Sequence, residues 1–220
     1  MVILRFVDDR IFLDKRELII KDDYLNLPNQ NITEIIGTCP PNIKCLYLKN
    51  NQISSLFNEK GESFNIGKIE HLDLRYNQIS SLFNEKGEQF NVDNIHILSL
   101  GDNSIMSLFN EKGVPFNTGN IKYLDLEYNQ ITSLFNEKGK KFNTGNLLGL
   151  YLNGNQIQSV SNQYFDMFNM GNLIYLNIAD NPIELLLPNY PKLVRVSDLK
   201  LYQENLTEYV KGKYVKSAKK

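Results

Sequence analysis

Residues 69–87 read IEHLDLRYNQISSLFNEKG, and this stretch decides the fold because the chain repeats it at a fixed interval. Its last seven letters, SLFNEKG, start at residues 55, 81, 107 and 133, so the period is 26 residues. A hydrophobic pattern with the same period surrounds them and begins at residues 43, 69, 95, 121, 147 and 173. Six units in register predict an array of stacked structural repeats.

Each unit contains an alternation that is typical of a strand. Leu72 and Leu74 flank Asp73, so apolar and polar residues alternate with a period of two. Stacking one such strand from every unit predicts a parallel sheet. In the returning half, Leu82 and Phe90 are inward residues on either side of a Glu-Lys-Gly turn. That half is too short to propagate a helix, so we expect short 3₁₀ turns or small extended arches.

An asparagine occurs in every unit where the chain turns out of the strand. A buried amide left unpaired costs about 1 to 3 kcal/mol, so each asparagine is expected to bond the backbone of its own or the adjacent turn. We call this column the asparagine ladder. Its members are Asn51, Asn77, Asn103, Asn129, Asn155 and Asn181.

The combined pattern, L-x-x-L-x-L-x-x-N-x-L with a 26-residue period, resembles that of the leucine-rich repeat family. The resemblance implies an α/β solenoid, a horseshoe with a parallel β-sheet on its concave face and an irregular or 3₁₀ convex side. It also implies a binding module or adaptor, since family members with catalytic activity usually carry it on another domain. We therefore expect protein–protein recognition and no enzyme activity.

The period divides the chain into three segments. Residues 43–193 hold the repeats, and residues 1–42 form an N-terminal cap with a degenerate unit in which Gln30 replaces the ladder asparagine. Residues 2–7 and 10–13 predict a β-hairpin, and apolar side chains in 17–20 are expected to cover the first repeat. Residues 194–220 are a C-terminal cap and basic tail. Leu193 and Val196 predict a last strand, and residues 199–210 have apolar spacing that predicts a helical cap.

Strand positions that point away from the core form what we call the outward face, which comprises the third, fifth and seventh residues of each unit. Tyrosine and arginine, the residue types that dominate binding hot spots, are frequent on it. The candidate partner-binding residues are Tyr47, Lys49, Asp73, Arg75, Tyr123, Asp125, Glu127, Tyr151, Asn153 and Tyr175. The alternative is that an exposed sheet face carries polar and aromatic residues in any case.

Charges are distributed unevenly along the repeats. Basic residues lie in the first units (Lys44, Lys49 and Arg75), and acidic residues lie in the middle and last units (Asp102, Asp125, Glu127 and Asp180). This asymmetry would orient a dipolar partner.

The convex side offers a rival surface. Four copies of Phe-Asn-Glu-Lys-Gly present the same groups at one-unit spacing, which a structural or self-assembling protein could use. The other interpretation is recent internal duplication with ordinary solvated Glu-Lys turns.

A thiol, an imidazole and a carboxylate, those of Cys45, His71 and Asp73, fall close together on neighbouring strands, as nucleophilic catalysis would require. An open sheet face supplies neither a closed pocket nor an oxyanion hole, so we expect no catalytic site. A zinc site from Cys39, Cys45 and His71 lacks a fourth ligand and any C-x-x-C spacing. We therefore expect neither a metal nor a cofactor.

Composition limits the partners. Lys and Arg number 24 and Asp and Glu 25, which gives a net charge of -1 and argues against a simple binder of polyanions such as nucleic acid. No apolar run approaches the length of a membrane span, and the start of the chain lacks the features of a secretory signal. We expect a soluble, cytoplasmic monomer without disulfides that binds an unidentified protein, and neither nucleic acid nor membrane.

Overall fold

The computed structural model describes residues 1–164, 168–187, 190–195 and 200–202, with side chains up to residue 183. These residues form strands and turns and no helix. The strands are β1 Val2–Val7, β2 Arg10–Leu13, β3 Arg16–Leu18, β4 Tyr24–Asn26, β5 Ile32–Gly37, β6 Cys45–Tyr47, β7 His71–Asp73, β8 Ile97–Ser99, β9 Tyr123–Asp125, β10 Gly149–Tyr151, β11 Tyr175–Asn177, β12 Glu184–Leu187, β13 Tyr190–Arg195 and β14 Lys200–Tyr202. A four-stranded sheet has the order β3-β2-β1-β5, and β12 and β13 pair as a two-stranded sheet.

The main sheet has eight strands in the order β14-β11-β10-β9-β8-β7-β6-β4. The seven strands from β4 to β11 in this sheet are parallel, as the sequence predicts. From β6 to β11 each residue pairs with the residue one 26-residue unit later, so that Leu72 pairs with Leu98. Backbone pairing continues beyond the three-residue strands. Leu74 N donates to Ser99 O at 2.8 Å and Tyr76 N donates to Gly101 O at 3.0 Å.

Inward side chains from all six units form one continuous core. The central leucines of the strands, such as Leu72 and Leu98, are fully buried, and each contributes about 1.5 to 3 kcal/mol through burial. Phe90 and Phe116 are equally buried in the returning halves of their units. There the chain forms small extended arches, and the described residues include no 3₁₀ turn. An antiparallel bridge such as Phe83 to Gln89 closes each arch of the repeated SLFNEKG segment.

Each ladder asparagine connects its own turn to the preceding unit, as Asn77 illustrates. Its Nδ2 donates to Leu74 O at 2.9 Å within its own unit and to Leu48 O at 3.1 Å in the preceding unit. Its Oδ1 accepts a bond from Ile53 N at 3.0 Å, also in the preceding unit. The amide thus satisfies backbone groups that the end of each strand leaves unpaired. The same bonds recur through Asn181.

A second asparagine column performs a similar role in the arches. Asn84 Oδ1 accepts bonds from Lys86 N and Glu88 N, which closes the Glu-Lys-Gly turn. Its Nδ2 donates to Gly61 O of the preceding arch at 2.8 Å. Adjacent units are therefore joined by side-chain amides at both ends of the repeat. Gly61 has a φ of 78°, which a residue with a side chain adopts only with strain.

The N-terminal cap contains the hairpin predicted over residues 2–13. β1 and β2 pair antiparallel, and Asp8 and Asp9 at the turn both have positive φ, as a two-residue type I′ turn requires. Phe6 and Ile11 are buried in the core. β5 pairs in parallel with β1, a connection that the sequence does not predict.

The C-terminal cap differs from the prediction. Residues 200–202, at the start of the predicted helix, form β14, which pairs antiparallel with β11 at the end of the main sheet. The open edge of β11 offers unpaired backbone groups, and pairing with them overrides a local helical spacing. The helical cap is therefore wrong for these residues, and 203–210 lie outside the described residues, as does the basic tail. The predicted last strand is present as β13 up to Arg195, and Val196 lies outside the described residues.

We expect Asn103→Ala to lower the free energy of unfolding by about 1 to 3 kcal/mol, measured by urea denaturation. Asn103 is buried and bonds Leu74 O, Leu100 O and Ile79 N, so the substitution leaves these groups unpaired. The matched control is Asn172→Ala, because Asn172 is exposed and its side chain makes a single bond within the described part of the chain, of 3.4 Å to Gly145 O. The control should lose no more than about 0.5 kcal/mol. Equal effects of the two substitutions would contradict a structural role for the ladder.

Candidate functional site

Strand alternation places the candidate residues on the outward face, and the register then decides their neighbours. Leu124 points into the core, so Tyr123 and Asp125 on either side of it face outward. Tyr123 lies beside Gly149, and Asp125 lies beside Tyr151, on the next strand. The ten candidate residues thus lie on one face, where all except Asn153 fall into three groups.

The first group is aromatic and lies at β6 and β7. Tyr47 Oη is 3.4 Å from His71 Nδ1, and the two rings pack edge to face with centroids 5.0 Å apart. Burial lowers the pKa of His71, and the charge of Asp73 only partly opposes this shift. Lys49 Nζ lies 4.8 Å from the ring centre of Tyr76, a cation–π contact.

The second group is the ion pair of Asp73 and Arg75. Arg75 Nε donates to Asp73 Oδ1 at 3.0 Å and Nη2 donates to Oδ2 at 2.7 Å, so the guanidinium binds both carboxylate oxygens. Asp73 is buried, which alone would raise its pKa, but the bonds from Arg75 outweigh burial and lower it. The bonds to Asp73 also raise the pKa of Arg75.

These pairs change the predicted charge asymmetry. Arg75 is occupied by Asp73, and Lys44 Nζ lies 3.6 Å from Glu70 Oε1, so part of the basic end is neutralised internally. Asp125 and Glu127 take part in no ion pair among the described residues. The acidic middle of the outward face is therefore available to a partner, while much of the basic end is not.

The third group surrounds a shallow depression above β8 with a volume of about 300 Å³. Its lining residues are Ile97, Ser99, Tyr123, Asp125, Glu127 and Tyr151. Tyr123 is 43% exposed, and the ring of Tyr151 packs against that of Tyr175 with centroids 5.0 Å apart. The depression therefore combines an apolar residue, aromatic rings and two carboxylates within one open surface.

Two glycines allow the side chains around the depression to adopt these positions. A Cβ on Gly149 would lie 2.7 Å from Tyr123 Cδ1, so the tyrosine ring occupies space that only glycine leaves free. A Cβ on Gly101 would lie 2.9 Å from Glu127 Cγ and 3.2 Å from an oxygen of Asp125. Both acidic side chains therefore extend over the end of the β8 segment.

The carboxyl group of Asp125 has a strongly altered pKa. Burial, the largest cause, raises it from 3.8 to about 6, and the negative charge of Glu127 acts in the same direction. The bond from Glu127 N to Oδ1, at 3.0 Å, and the charge of Arg75 act in the opposite direction. Asp125 is thus a partly buried acid that lacks a cationic partner among the described residues.

Asn153 belongs to a polar network beyond the depression. Its Nδ2 donates to Glu127 Oε2 at 3.2 Å, and its Oδ1 accepts a bond from Asn177 Nδ2 at 2.9 Å. Both asparagines are buried, so the network fixes the orientation of Glu127 more than it offers free groups to a partner.

The eighth position of each unit also contributes to the outward face, which the sequence did not predict. Tyr76 and Tyr128 occupy it with φ of 56° and 49°, in the left-handed region that asparagine, aspartate and glycine favour. Both rings are about half exposed at the edge of the outward face. A Cβ on Gly154 would lie only 2.4 Å from Tyr128 Cδ1, so the Tyr128 ring occupies space that this glycine leaves free. The sequence indicates this left-handed turn, because the same position in the other units holds Asn50, Asp102, Gly154 and Asp180.

The Cys45 thiol, the His71 imidazole and the Asp73 carboxylate are neighbours, but their contacts are not those of a hydrogen-bonded catalytic triad. Cys45 and His71 are register partners on β6 and β7, but His71 Nδ1 faces Tyr47 and the Asp73 carboxylate is bound by Arg75. Burial raises the pKa of Cys39, the other thiol, to about 12. Within the described ranges, no group of three or more His, Cys, Asp or Glu side chains could hold a metal ion.

Comparison with known proteins adds no family. No protein-family model matches the chain, and no curated protein matches it. Within the part of the chain that the structure describes, no helix is long and apolar enough to cross a membrane.

We expect Asp125→Asn to stabilise the protein at neutral pH and to have little effect in acid. Because the pKa of Asp125 is raised, ionising it destabilises the fold, and stability is lost as the pH rises through about 6. Urea denaturation should give the variant an advantage of about 1 to 3 kcal/mol near pH 7.5 and almost none near pH 4. Glu111→Gln removes a charge from an exposed turn and is the control, expected to change stability little. The same advantage for Asp125→Asn at both pH values would rule out the assignment.

Proposed function

We propose that the chain is a leucine-rich-repeat solenoid and that its outward face is the concave surface of a horseshoe that binds a protein partner. The observation that carries the proposal is the contrast between the two faces of the sheet. Inward positions repeat the same leucines, whereas outward positions differ from unit to unit and gather aromatic and acidic groups around one depression. A face needed only for stacking would require no such grouping.

Support for the repeat architecture comes from the regular stacking. Each 26-residue unit contributes one three-residue strand, pairs in parallel with the next unit and bonds to it through asparagine side chains. Such units contact only their neighbours, which is the defining property of a solenoid. The N-terminal sheet supplies buried residues such as Leu4 and Phe6 against the first units, as a capping element does.

Size and composition favour a protein as the partner. Six repeat strands at a spacing of about 4.8 Å give a face roughly 24 Å across, which suits a standard protein interface. Tyr123, Tyr151 and Tyr175 project from a rigid sheet, so ordering them on binding costs little entropy. The depression is open and shallow, unlike the enclosed pockets that bury most of a small ligand.

A non-catalytic role is supported by the arrangement around Cys45. His71 faces Tyr47, and the Asp73 carboxylate is held by Arg75, so the parts of a nucleophilic relay are engaged elsewhere. We therefore propose an adaptor or recognition module that uses neither metal nor cofactor.

Replacing both Tyr123 and Tyr151 with Ala should weaken binding of the partner at least about tenfold, because central aromatic residues carry most interface energy. The partner would be captured from native cell extract with the wild-type chain, purified, and its dissociation constant measured with each variant. The melting temperature of the double variant should stay close to that of the wild type, since both rings lie outside the core.

The matched control is Tyr164→Ala, which removes a tyrosine that is exposed on the returning half of its unit. It should leave the dissociation constant unchanged. If the control weakens binding as much as the double substitution, or if the double substitution has no effect, the outward face is not the binding surface.

Self-assembly is the second candidate, and the grooves between adjacent arches favour it. Three such grooves follow one another along the chain, and Phe, Asn, Glu and Lys side chains of the repeated turns line each of them. Static light scattering at high protein concentration tests this candidate. We expect the mass of a monomer, 25.5 kDa, and a mass that rises with concentration would favour assembly instead.

A further inference from the structure

We propose that the depression above β8 binds a lysine or arginine side chain of the partner, with its alkyl part over Ile97 and its charged end among Ser99, Asp125 and Glu127. This inference rests on the proposed function, because it gives the partner of the outward face a specific chemistry. We call the depression the cation subsite. Its lining residues are those described above.

The chain contains an internal example of the contact that we propose. Asp73 and Asp125 occupy the same position of their units, and each accepts a bond at Oδ1 from the backbone N–H two residues later, at 3.1 and 3.0 Å. In the first case that later residue is Arg75, whose guanidinium binds the carboxylate. In the second case it is Glu127, so the carboxylate meets a second negative charge instead of a cation. A cation from outside would supply what Arg75 supplies to Asp73.

Ser99 provides an independent indication that the subsite is built for a ligand. Ser99 as a whole residue is only 9% exposed, and it lines the depression. Among the described residues its hydroxyl group has no hydrogen-bond partner. A buried hydroxyl group without a hydrogen-bond partner costs about 1 to 3 kcal/mol of stability. A ligand in the depression would supply the missing partner of Ser99. Its oxygen can accept a bond from an ammonium or guanidinium group.

The walls of the depression suit the rest of a basic side chain. Ile97 is half-buried at its floor, and the rings of Tyr123 and Tyr151 stand beside it. Lysine and arginine both carry a flexible alkyl stem that packs on apolar surface while the charged end bonds to acidic groups. Aromatic faces add attraction for the cation. An anionic or purely apolar side chain would leave the two carboxylates unpaired.

Gly101 makes the arrangement possible. Without a side chain there, the Asp125 carboxylate and Glu127 Cγ can lie over the backbone that follows β8. φ at Gly101 is not in the left-handed region, so the backbone accepts alanine. Gly101→Ala would therefore move the carboxylates without changing their charge. This variant distinguishes binding that depends on the shape of the subsite from general attraction to an acidic surface.

The first test uses n-butylguanidinium and n-butylammonium chloride as probes, with n-butanol as the uncharged control, and follows backbone amide resonances by NMR. We expect both cations to shift the resonances of Ser99, Gly101 and Glu127, with a dissociation constant of about 1 to 10 mM, as befits probes of so few atoms. Butanol should leave these resonances almost unchanged. Shifts spread over all acidic residues, or equal shifts with butanol, would overturn the proposal.

Variants sharpen the test. Asp125→Asn combined with Glu127→Gln should weaken binding of both cations at least about tenfold, and Gly101→Ala should weaken it about threefold or more. Ser99→Ala should weaken it by a similar factor, because it removes an acceptor. The matched control, Glu111→Gln combined with Glu137→Gln, removes two exposed charges from the arches and should leave binding unchanged. Equal binding to the control and to the Asp125 and Glu127 variant overturns the subsite.

Binding should also depend on pH, because the cation needs the ionised form of Asp125. Groups that face this carboxylate are Glu127 on its own unit, Asp73 and Arg75 two units earlier, and Tyr151 on β10. Burial raises the pKa of Asp125 to about 6, so affinity should fall up to about tenfold between pH 7.5 and pH 5. The Asp125 and Glu127 variant should lack this dependence. A wild-type affinity that is the same at both pH values would contradict the role of Asp125.

Failure of this inference can be told apart from failure of the proposed function. If the Tyr123 and Tyr151 variant loses the partner but the cations bind the wild type and the Asp125 and Glu127 variant alike, the recognition face stands and the subsite is overturned. If the cations bind as expected but the tyrosine variant keeps the partner, the subsite stands and its role in partner recognition is overturned.

Discussion

The hydrogen bonds of the asparagine ladder are the constraint on which the rest of the molecule depends. No unit buries its leucines alone, and the strands that join neighbouring units are only three residues long. Asn77 adds to the backbone pairing between units, because its amide group bonds Leu48 O and Ile53 N of the preceding unit together with Leu74 O of its own. The ladder thereby fixes the register of the sheet at the turn, in addition to the backbone bonds that continue past each strand.

Because the register is fixed, residues on the inward face are constrained by packing, whereas residues on the outward face can differ from unit to unit. An inward change such as a smaller residue at Leu98 would leave a cavity between units. A substitution at an outward position leaves no such cavity. Ser99 can therefore occupy the position next to Asp73 on the adjacent strand, and Gly149 the position next to Tyr123. Small residues at these positions open space into which the neighbouring side chains extend. The depression above β8 is therefore a product of variation that the ladder permits.

Much of this fold follows from the sequence because it depends on contacts one period apart. Alternation around Leu72 predicts the strand, and an asparagine at a buried turn predicts a bonded amide. The N-terminal hairpin is equally local, since Asp8 and Asp9 supply the turn. β14 escaped prediction because residues 200–202 pair with the open edge of β11, a partner distant in sequence. The pairing of β5 with β1 escaped for the same reason.

The sequence predicts which residues lie on the outward face, but it does not predict which of their charges are already paired. Periodicity alone places Arg75 and Asp125 outward, and a count of charges suggests a basic end opposite an acidic one. Only the structure shows that Arg75 is already bound to Asp73 and that Lys44 contacts Glu70. A neutralised cation exerts little attraction on a partner, while Asp125 and Glu127 keep their charges close together at a half-buried position. Asp73 therefore has its cation within the repeats, whereas Asp125, at the same position two units along, has no ion-pair partner among the described residues. This difference between two equivalent carboxylates is the basis of the proposed cation subsite.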